Sequence, residues 1–231
     1  MVREFSAAGM AHHKNQDVVR RNENDKLQMI ALADGVGSCK NSEIGARIAC
    51  DCIWDLFAKR SNYLMNLDDK KARELVASHV RHHLQKRADE MDVDVCQLAS
   101  TLSAALIDKE SGRFFYYCQG DSPIFFICDE KIRYIQAERD MGNGICATTT
   151  ADGDRKACFG KGDAGQCSSV VVMSDGAADR IYHKTRMLEE AKQALLEQDY
   201  EGLIDIMEQK EGPDDYSFIA ASIREGGHPH D

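Results

Sequence analysis

The chain has 231 residues, 43% hydrophobic and 29% charged, with a formal net charge of −10. That length carries enough apolar material for a sizeable core, and the acidic excess makes duplex nucleic acid and anionic membranes poor partners for the surface as a whole. No run reaches the roughly 20 apolar residues of a membrane span, and residues 1–17, MVREFSAAGMAHHKNQD, lack the apolar centre of a secretory signal, so a cytoplasmic location is expected.

In chain order, residues 4–22 read as a loop and a strand, and RNEND as a turn. LQMIALAD (27–34) is an apolar run with strand length, ending in Asp-Gly. Residues 41–60 carry Ile44, Ile48, Ile53, Leu56 and Phe57 near a 3.6-residue period, which predicts an amphipathic helix. Residues 68–91 predict a second, with Leu75, Val76, Val80 and Leu84 as its stripe. Strands are expected at 100–108, 113–119, 122–128 and 131–135, joined by the tight turns SGR and DEK. Residues 136–165, rich in Gly, Thr and Asp, read as loop with a short strand. SSVVVMSDGAADRI (168–181) reads as a buried strand ending in another Asp-Gly, followed by helices at about 185–197 and 199–209 and a last strand at 215–223. The tail REGGHPHD is expected to fray. No Pro/Gly/Ser linker interrupts the chain, so residues 1–231 are expected to form one domain, a layered α+β sandwich. Nine cysteines without zinc-type spacing fit reduced thiols; Cys50 and Cys52 read as packing residues, and Cys39 as a residue of the core or the helix start.

The chemistry lies in aspartates at strand edges. Asp17 closes KNQD, Asp34 closes IALAD, Asp121 sits in CQGDS, Asp175 in VVVMSDG, and Asp214 opens the last strand in GPDDYSF. Each alone reads as a turn or cap. Together they predict an acidic cluster at one edge of the sandwich. Two carboxylates ~4 Å apart repel by ~4 kcal/mol at an effective dielectric near 20, so such a cluster protonates, separates or binds cations. All-oxygen ligands select Mg²⁺, Mn²⁺ or Ca²⁺ over zinc.

The order of these motifs resembles the protein phosphatase 2C family of metal-dependent serine/threonine phosphatases. GMAHHKNQD is similar to its first motif, LADGVGS with SEIGARIA to its Asp-Gly metal motif and following helix, and STLSAALI to its Gly-Thr-Thr strand. CQGDSPIFFI, VVVMSDGAADRI and DDYSFIAASI are similar to its Gly-Asp-Ser, Ser-Asp-Gly and closing Asp-Asn segments. The resemblance spans residues 9–223 and implies a four-layer α-β-β-α sandwich, two antiparallel sheets flanked by helix pairs. It implies two Mn²⁺ or Mg²⁺ ions bridged by Asp34, with the Gly35 carbonyl, Asp175 and Asp214 as further ligands and Asp17 acting through water. Asp121 corresponds to a third, weaker metal site. A side chain at Gly35 is expected to crowd the site. The implied activity is hydrolysis of phosphoserine and phosphothreonine on a protein substrate by an activated water, with Asp34 and Asp175 as catalytic positions.

Three positions depart from the family pattern. His12 replaces the phosphate-binding arginine of the first motif and is expected to contact phosphate or protonate the leaving group; Lys14 reads as a surface lysine that could add charge nearby. Val36 and Pro123 replace a histidine and an arginine found in many members. The segment between Asp121 and Asp175 is short, so a small flap is expected. The implied partners are a phosphorylated protein and, opposing the activity, a kinase, with the chain itself a monomer. One alternative is a catalytically weak 2C-like signalling or partner-binding module, favoured by the missing arginine. Another is a phosphatase of small phosphorylated metabolites or of phosphohistidine.

Overall fold

The computed structural model describes residues 2–11, 14–137, 146–150, 153–165 and 167–223. The chain opens with β1 (Val2–Ala7), β2 (Val18–Glu23) and β3 (Leu27–Ala33), followed by two long helices, α1 (Ser42–Asn66) and α2 (Asp69–Met91). A 3-10 turn at Val95–Leu98 leads into a run of strands, β4 (Leu102–Asp108), β5 (Arg113–Gln119), β6 (Ile124–Cys128) and β7 (Lys131–Ile135). Then come α3 (Gly153–Lys156), β8 (Cys158–Asp163), β9 (Ser169–Met173), α4 (Asp175–Ile181), and a small hairpin of β10 (Tyr182–His183) and β11 (Arg186–Met187). The last elements are α5 (Glu189–Glu197), α6 (Tyr200–Glu208) and β12 (Tyr216–Ser222).

Two five-stranded sheets, ordered β1-β12-β9-β6-β7 and β2-β3-β4-β5-β8, carry the fold, and every pairing in them is antiparallel. Strand alternation explains the layers. In β3, Met29, Ala31 and Ala33 face α1 and α2, whereas Ile30 and Leu32 face the other sheet against Val170, Val172 and Ile219. A strand covered on both faces reads as a continuous apolar run, and every residue of β3 is buried. Phe125, Val171 and Phe218, on the outer face of the β1-β12-β9-β6-β7 sheet, pack against Ile181 of α4, Leu195 of α5 and Leu203 of α6. The result is the four-layer α-β-β-α sandwich expected from the sequence. Among the described residues no helix is long and apolar enough to cross a membrane.

The helix pair α1–α2 is positioned by its ends. Asp68 caps α2 by accepting from the amides of Lys70 and Lys71 at 3.1 and 3.3 Å. Asp92, in the left-handed region at φ 53°, ends it. α1 is bent at Arg60, whose φ of −127° is not helical.

Four expectations need correction. Residues 2–7 are not loop but an edge strand, paired along its length with β12. Residues 168–181 are not one strand: β9 stops at Met173, Ser174 is extended, and Asp175 begins α4. A serine followed by Asp and small residues is a helix start, although the Ser174 hydroxyl accepts from the Ser217 amide at 3.0 Å rather than capping α4. The helix expected to open near residue 185 begins at Glu189, because the β10–β11 hairpin occupies the residues before it. The nine cysteines are not all reduced thiols: Cys128 and Cys167, brought together where β6 pairs with β9, form a disulfide, and the other seven are outside any disulfide. The tail at 224–231 lies outside the described residues.

Phe115 tests the outer core. It is fully buried and meets Phe57 of α1 edge-on at a centroid distance of 4.7 Å. Phe115→Ala is expected to lower unfolding free energy by about 3–5 kcal/mol in a denaturant titration. Tyr63→Ala, at a residue 53% exposed, is expected to stay within about 0.5 kcal/mol of the parent.

Candidate functional site

Each candidate aspartate stands just off the end of a strand. Asp17 precedes β2, Asp34 follows β3, Asp121 lies between β5 and β6, Asp175 starts α4 after β9, and Asp214 precedes β12. The sandwich brings them to one end. Asp34 feels the charges of Asp17, Asp175 and Asp214, and Asp175 those of Asp121 and Asp214.

A hydroxyl network fixes the backbone beneath them. The Asp34 amide donates to Thr101 Oγ1 at 2.9 Å, and the Thr101 amide donates to the Asp34 carbonyl at 2.8 Å. Thr101 Oγ1 also meets Ser122 Oγ at 2.7 Å, and the Ser103 hydroxyl donates to the Ser122 carbonyl at 2.6 Å. The STLS strand therefore ties the Asp34 end to the Asp121 end. Gly120 turns the chain into Asp121 at φ +94°, where a Cβ would also strike Thr101 at 2.7 Å. At Gly35 a Cβ would come within 2.9 Å of Ser42 Oγ and 3.1 Å of the Gln16 carbonyl. The crowding expected there comes from the start of α1 and the first-motif loop. The bridge between Gly35 and Ser100 is made by their neighbours, Val36 donating to Ala99 at 3.0 Å and Thr101 to Asp34 at 2.8 Å. That pairing leaves the Gly35 carbonyl out of the ladder.

Asp215, beside Asp214, has a different job that the sequence reading missed. It is buried and accepts from the amides of Gly9 at 2.8 Å and Gln16 at 2.7 Å, pinning the first-motif loop to the last strand. The doubled Asp before an apolar strand was the available signal. Asn15 accepts from the Asp17 amide at 2.8 Å, and the Gln16 side chain donates to Ser42 at 3.0 Å. Lys14 is held in an ion pair with Glu43 at 2.5 Å. His12 lies outside the described residues.

The electrostatics record the crowding. Burial first, then the Asp17 and Asp175 charges, push Asp34 well above the usual carboxylate range, and the adjacent Asp175 carboxyl adds to the shift. Asp175 is also raised, by burial and then by Asp121, with the Asp34 carboxyl opposing. Asp17 is pushed up to about 7, mainly by burial; the Ser217 and Ser174 hydroxyls pull the other way. Both oxygens of Asp17 are buried, and neither makes a well-formed hydrogen bond, to those two hydroxyls included. Orphaned carboxylate oxygens and crowded acids with raised pKa values are what a hard divalent cation relieves, and an all-oxygen donor set suits Mg²⁺ or Mn²⁺. Among the described residues no three such side chains close tightly enough to form a ready ligand set.

A cleft of about 410 Å³ opens beside the acids, lined by Asp121, Asp175, Tyr134, Gln136, Tyr182, Lys184 and Thr185. Lys184, at the tip of the β10–β11 hairpin with φ 58°, is the cation among these lining residues. No motif announced the hairpin in the sequence. The buried thiols of Cys50 and Cys118 are pushed upward by desolvation, Cys118 to about 12, which leaves them inert as nucleophiles.

A four-layer sandwich with carboxylates gathered at the ends of its strands defines a class that the comparisons identify. The sequence model of the protein phosphatase 2C family matches residues 10–208, and the chain belongs to that family. No curated protein matches the sequence. Among solved structures, the serine/threonine phosphatase Stp1 from Staphylococcus aureus is 19% identical, with a TM-score of 0.70 over 97% of this chain and 95% of that one. The catalytic domain of the serine threonine protein phosphatase PstP, in complex with two manganese ions, is 18% identical with a TM-score of 0.70, covering 97% and 98%. RsbX in complex with magnesium is 15% identical with a TM-score of 0.62, covering 96% and 94%. At these identities the likeness is one of fold.

Asp17 gives a pH test on metal-free protein. Its folded-state pKa of about 7 exceeds the ordinary 3.8. The folded chain therefore holds a proton that the unfolded chain releases, and this contribution is complete below the lower value and lost as pH rises through the upper one. With chelator present, the melting temperature of the parent is expected to fall more steeply from about pH 4 to 7 than that of Asp17→Asn. Parallel curves would show that Asp17 carries no such burden.

Proposed function

We propose that the chain is a metal-dependent phosphatase that hydrolyses phosphoserine and phosphothreonine on proteins. The observation that carries this reading is the half-buried Asp34–Asp175 pair, both carboxyls raised by burial and by further carboxylates gathered at the end of the sandwich. Asp34, Asp175, Asp214 and the Gly35 carbonyl would hold two Mn²⁺ or Mg²⁺ ions, with Asp17 in support and Asp121 toward a third, weaker site. When bound, such ions acidify water and neutralise phosphoryl oxygens. PstP and RsbX, in complex with manganese and magnesium, are the neighbours that support this choice of metals.

The chain's own residues supply position and charge. Thr101 and Ser122 fix where Asp34 and Asp121 stand, and Asp215 holds the Gly9 and Gln16 amides of the first-motif loop that leads into Asp17. His12 stands at the family's arginine position, and we assign it to the substrate phosphate, either as a hydrogen-bond donor or as the acid for the leaving oxygen. Lys184 lines the cleft beside Asp121 and Asp175, where it would meet the anionic part of a phosphorylated segment. A kinase opposes this activity, and the chain works as a single-domain monomer in the cytoplasm. Seven cysteines outside any disulfide, against one disulfide, support that compartment.

The rival reading, a 2C-like partner-binding module with little turnover, rests on His12 in place of arginine. One assay separates the two. Hydrolysis of a phosphothreonine peptide is expected to stop in excess chelator and return with Mn²⁺. Asp34→Asn is expected to lower kcat by roughly a hundredfold or more without lowering the melting temperature of metal-free protein, because repulsion is relieved. Lys184→Ala is expected to raise KM by about tenfold, the scale of one lost charged hydrogen bond. Full activity in chelator, or none under any metal, would overturn the enzymatic reading.

A further inference from the structure

The outer side of the α1–α2 pair carries a surface that the core does not use. In α2 the buried row is Ala72, Val76, Val80 and Leu84, which packs into the core. The row one residue earlier, Lys71, Leu75, His79 and His83, is turned by about 100° around the helix axis and lines a groove of about 750 Å³ between the two helices. Across it, α1 and its C-cap contribute Leu56, Arg60, Tyr63 and Leu67. These too recur at spacings of three and four residues, so one face of each helix lines the groove.

The groove has an apolar floor and a cationic rim. Leu56 is buried, Leu67 and Leu75 are half-buried, and the Tyr63 side chain stands exposed beside them. Lys59, Arg60 and Lys71 line it against a single acid, Asp55. That acid is paired with Lys59 at 3.3 Å. The acids that open α2 are engaged elsewhere, Asp68 on the amides of Lys70 and Lys71 and Asp69 on Lys161 at 2.8 Å. Among the described residues, neither Arg60 nor Lys71 makes an ion pair. Desolvation, then His79, His82 and Lys86, pull the His83 pKa down against the opposing Asp55. The chain as a whole has a formal net charge of −10, so this rim is a local reversal of sign.

We propose that this groove docks an acidic, leucine-bearing helix of a partner protein, with its apolar side chains on Leu56, Tyr63, Leu67 and Leu75 and its carboxylates against Arg60 and Lys71. Charge and length favour that occupant. The two unpaired cations at the rim complement carboxylates, and the leucine floor between them complements aliphatic side chains. From Lys71 to His83 the lining row runs a little over three turns, about 18 Å. That is the span of a short amphipathic helix seated in a groove by side chains at i, i+3, i+4 and i+7. Exposed tyrosine and arginine beside such a floor are residue types that carry binding energy at interfaces. Duplex nucleic acid and an anionic bilayer would meet the same cations, but the acidic remainder of the surface repels both.

The test uses the full chain and a fluorescent synthetic peptide of about four helical turns. The peptide carries Leu at i, i+3, i+4 and i+7 spacing and Glu at most other positions, and its control has the same residues in scrambled order. By anisotropy at low salt, the patterned peptide is expected to bind at least roughly tenfold more tightly than the scrambled one. In the parent chain it is expected to shift the imidazole NMR signals of His79 and His83 before those of His82, a readout that needs no substitution. Tyr63→Ala, and Arg60→Glu with Lys71→Glu, are each expected to weaken binding by roughly tenfold or more while keeping the parent's melting temperature. Equal affinity for the two peptides, unshifted His79 and His83 signals at about 1 mM peptide, or unchanged affinity in either variant would overturn the site. So would preferential binding of phosphatidylserine vesicles, or a dimer in sedimentation that Arg60→Glu with Lys71→Glu dissolves, because each names a different occupant.

Discussion

Repulsion between carboxylates is the constraint from which the rest of the molecule is best understood. Asp17, Asp34, Asp121 and Asp175 stand together at one end of the sandwich, where burial strips away the water that would otherwise screen them. A chain selected only for stability would scatter these acids. Here they cost stability unless protons or cations offset their charge, and burial together with the neighbouring carboxylates holds Asp34 and Asp175 above the usual carboxylate range.

The fold tolerates that strain because the acids sit on rigid supports. Every residue of β3 and β9 is buried, so the strands that deliver Asp34 and Asp175 are locked on both faces. The Thr101–Ser122 contact spans from the Asp34 end to the Asp121 end, and Asp215 holds the first-motif loop through two backbone amides. The same cluster thus separates two kinds of aspartate: Asp34 and Asp17, held short of neutralising partners, and Asp215, spent on amide hydrogens one residue from Asp214. Electrostatic preorganisation of this kind places charge-handling groups before substrate arrives.

Much of the fold was legible in the sequence. β3 and the long helices were readable because burial imposes period: α2 shows its buried face at Val76, Val80 and Leu84. The strand-end aspartates were legible because Asp-Gly after an apolar run is a local signal. What escaped depended on distant contacts. β1 is half exposed, and only its pairing with β12 makes it a strand. The helix beginning at Asp175 was hidden by the apolar run before it, which says where burial lies but not where the backbone turns. The Cys128–Cys167 pairing follows from the alignment of β6 with β9, which spacing along the chain does not reveal. Lys184 entered the site through a two-residue hairpin too short to leave a pattern.

The central claim is that these aspartates stand together in order to hold hard divalent cations. Crystals of the protein grown with Mn²⁺, measured at a wavelength where manganese scatters anomalously, test it most directly. The account predicts anomalous density against the Asp34 and Asp175 carboxylates, lost in Asp34→Asn. A fully occupied manganese elsewhere with none at that pair in saturating Mn²⁺ would contradict it.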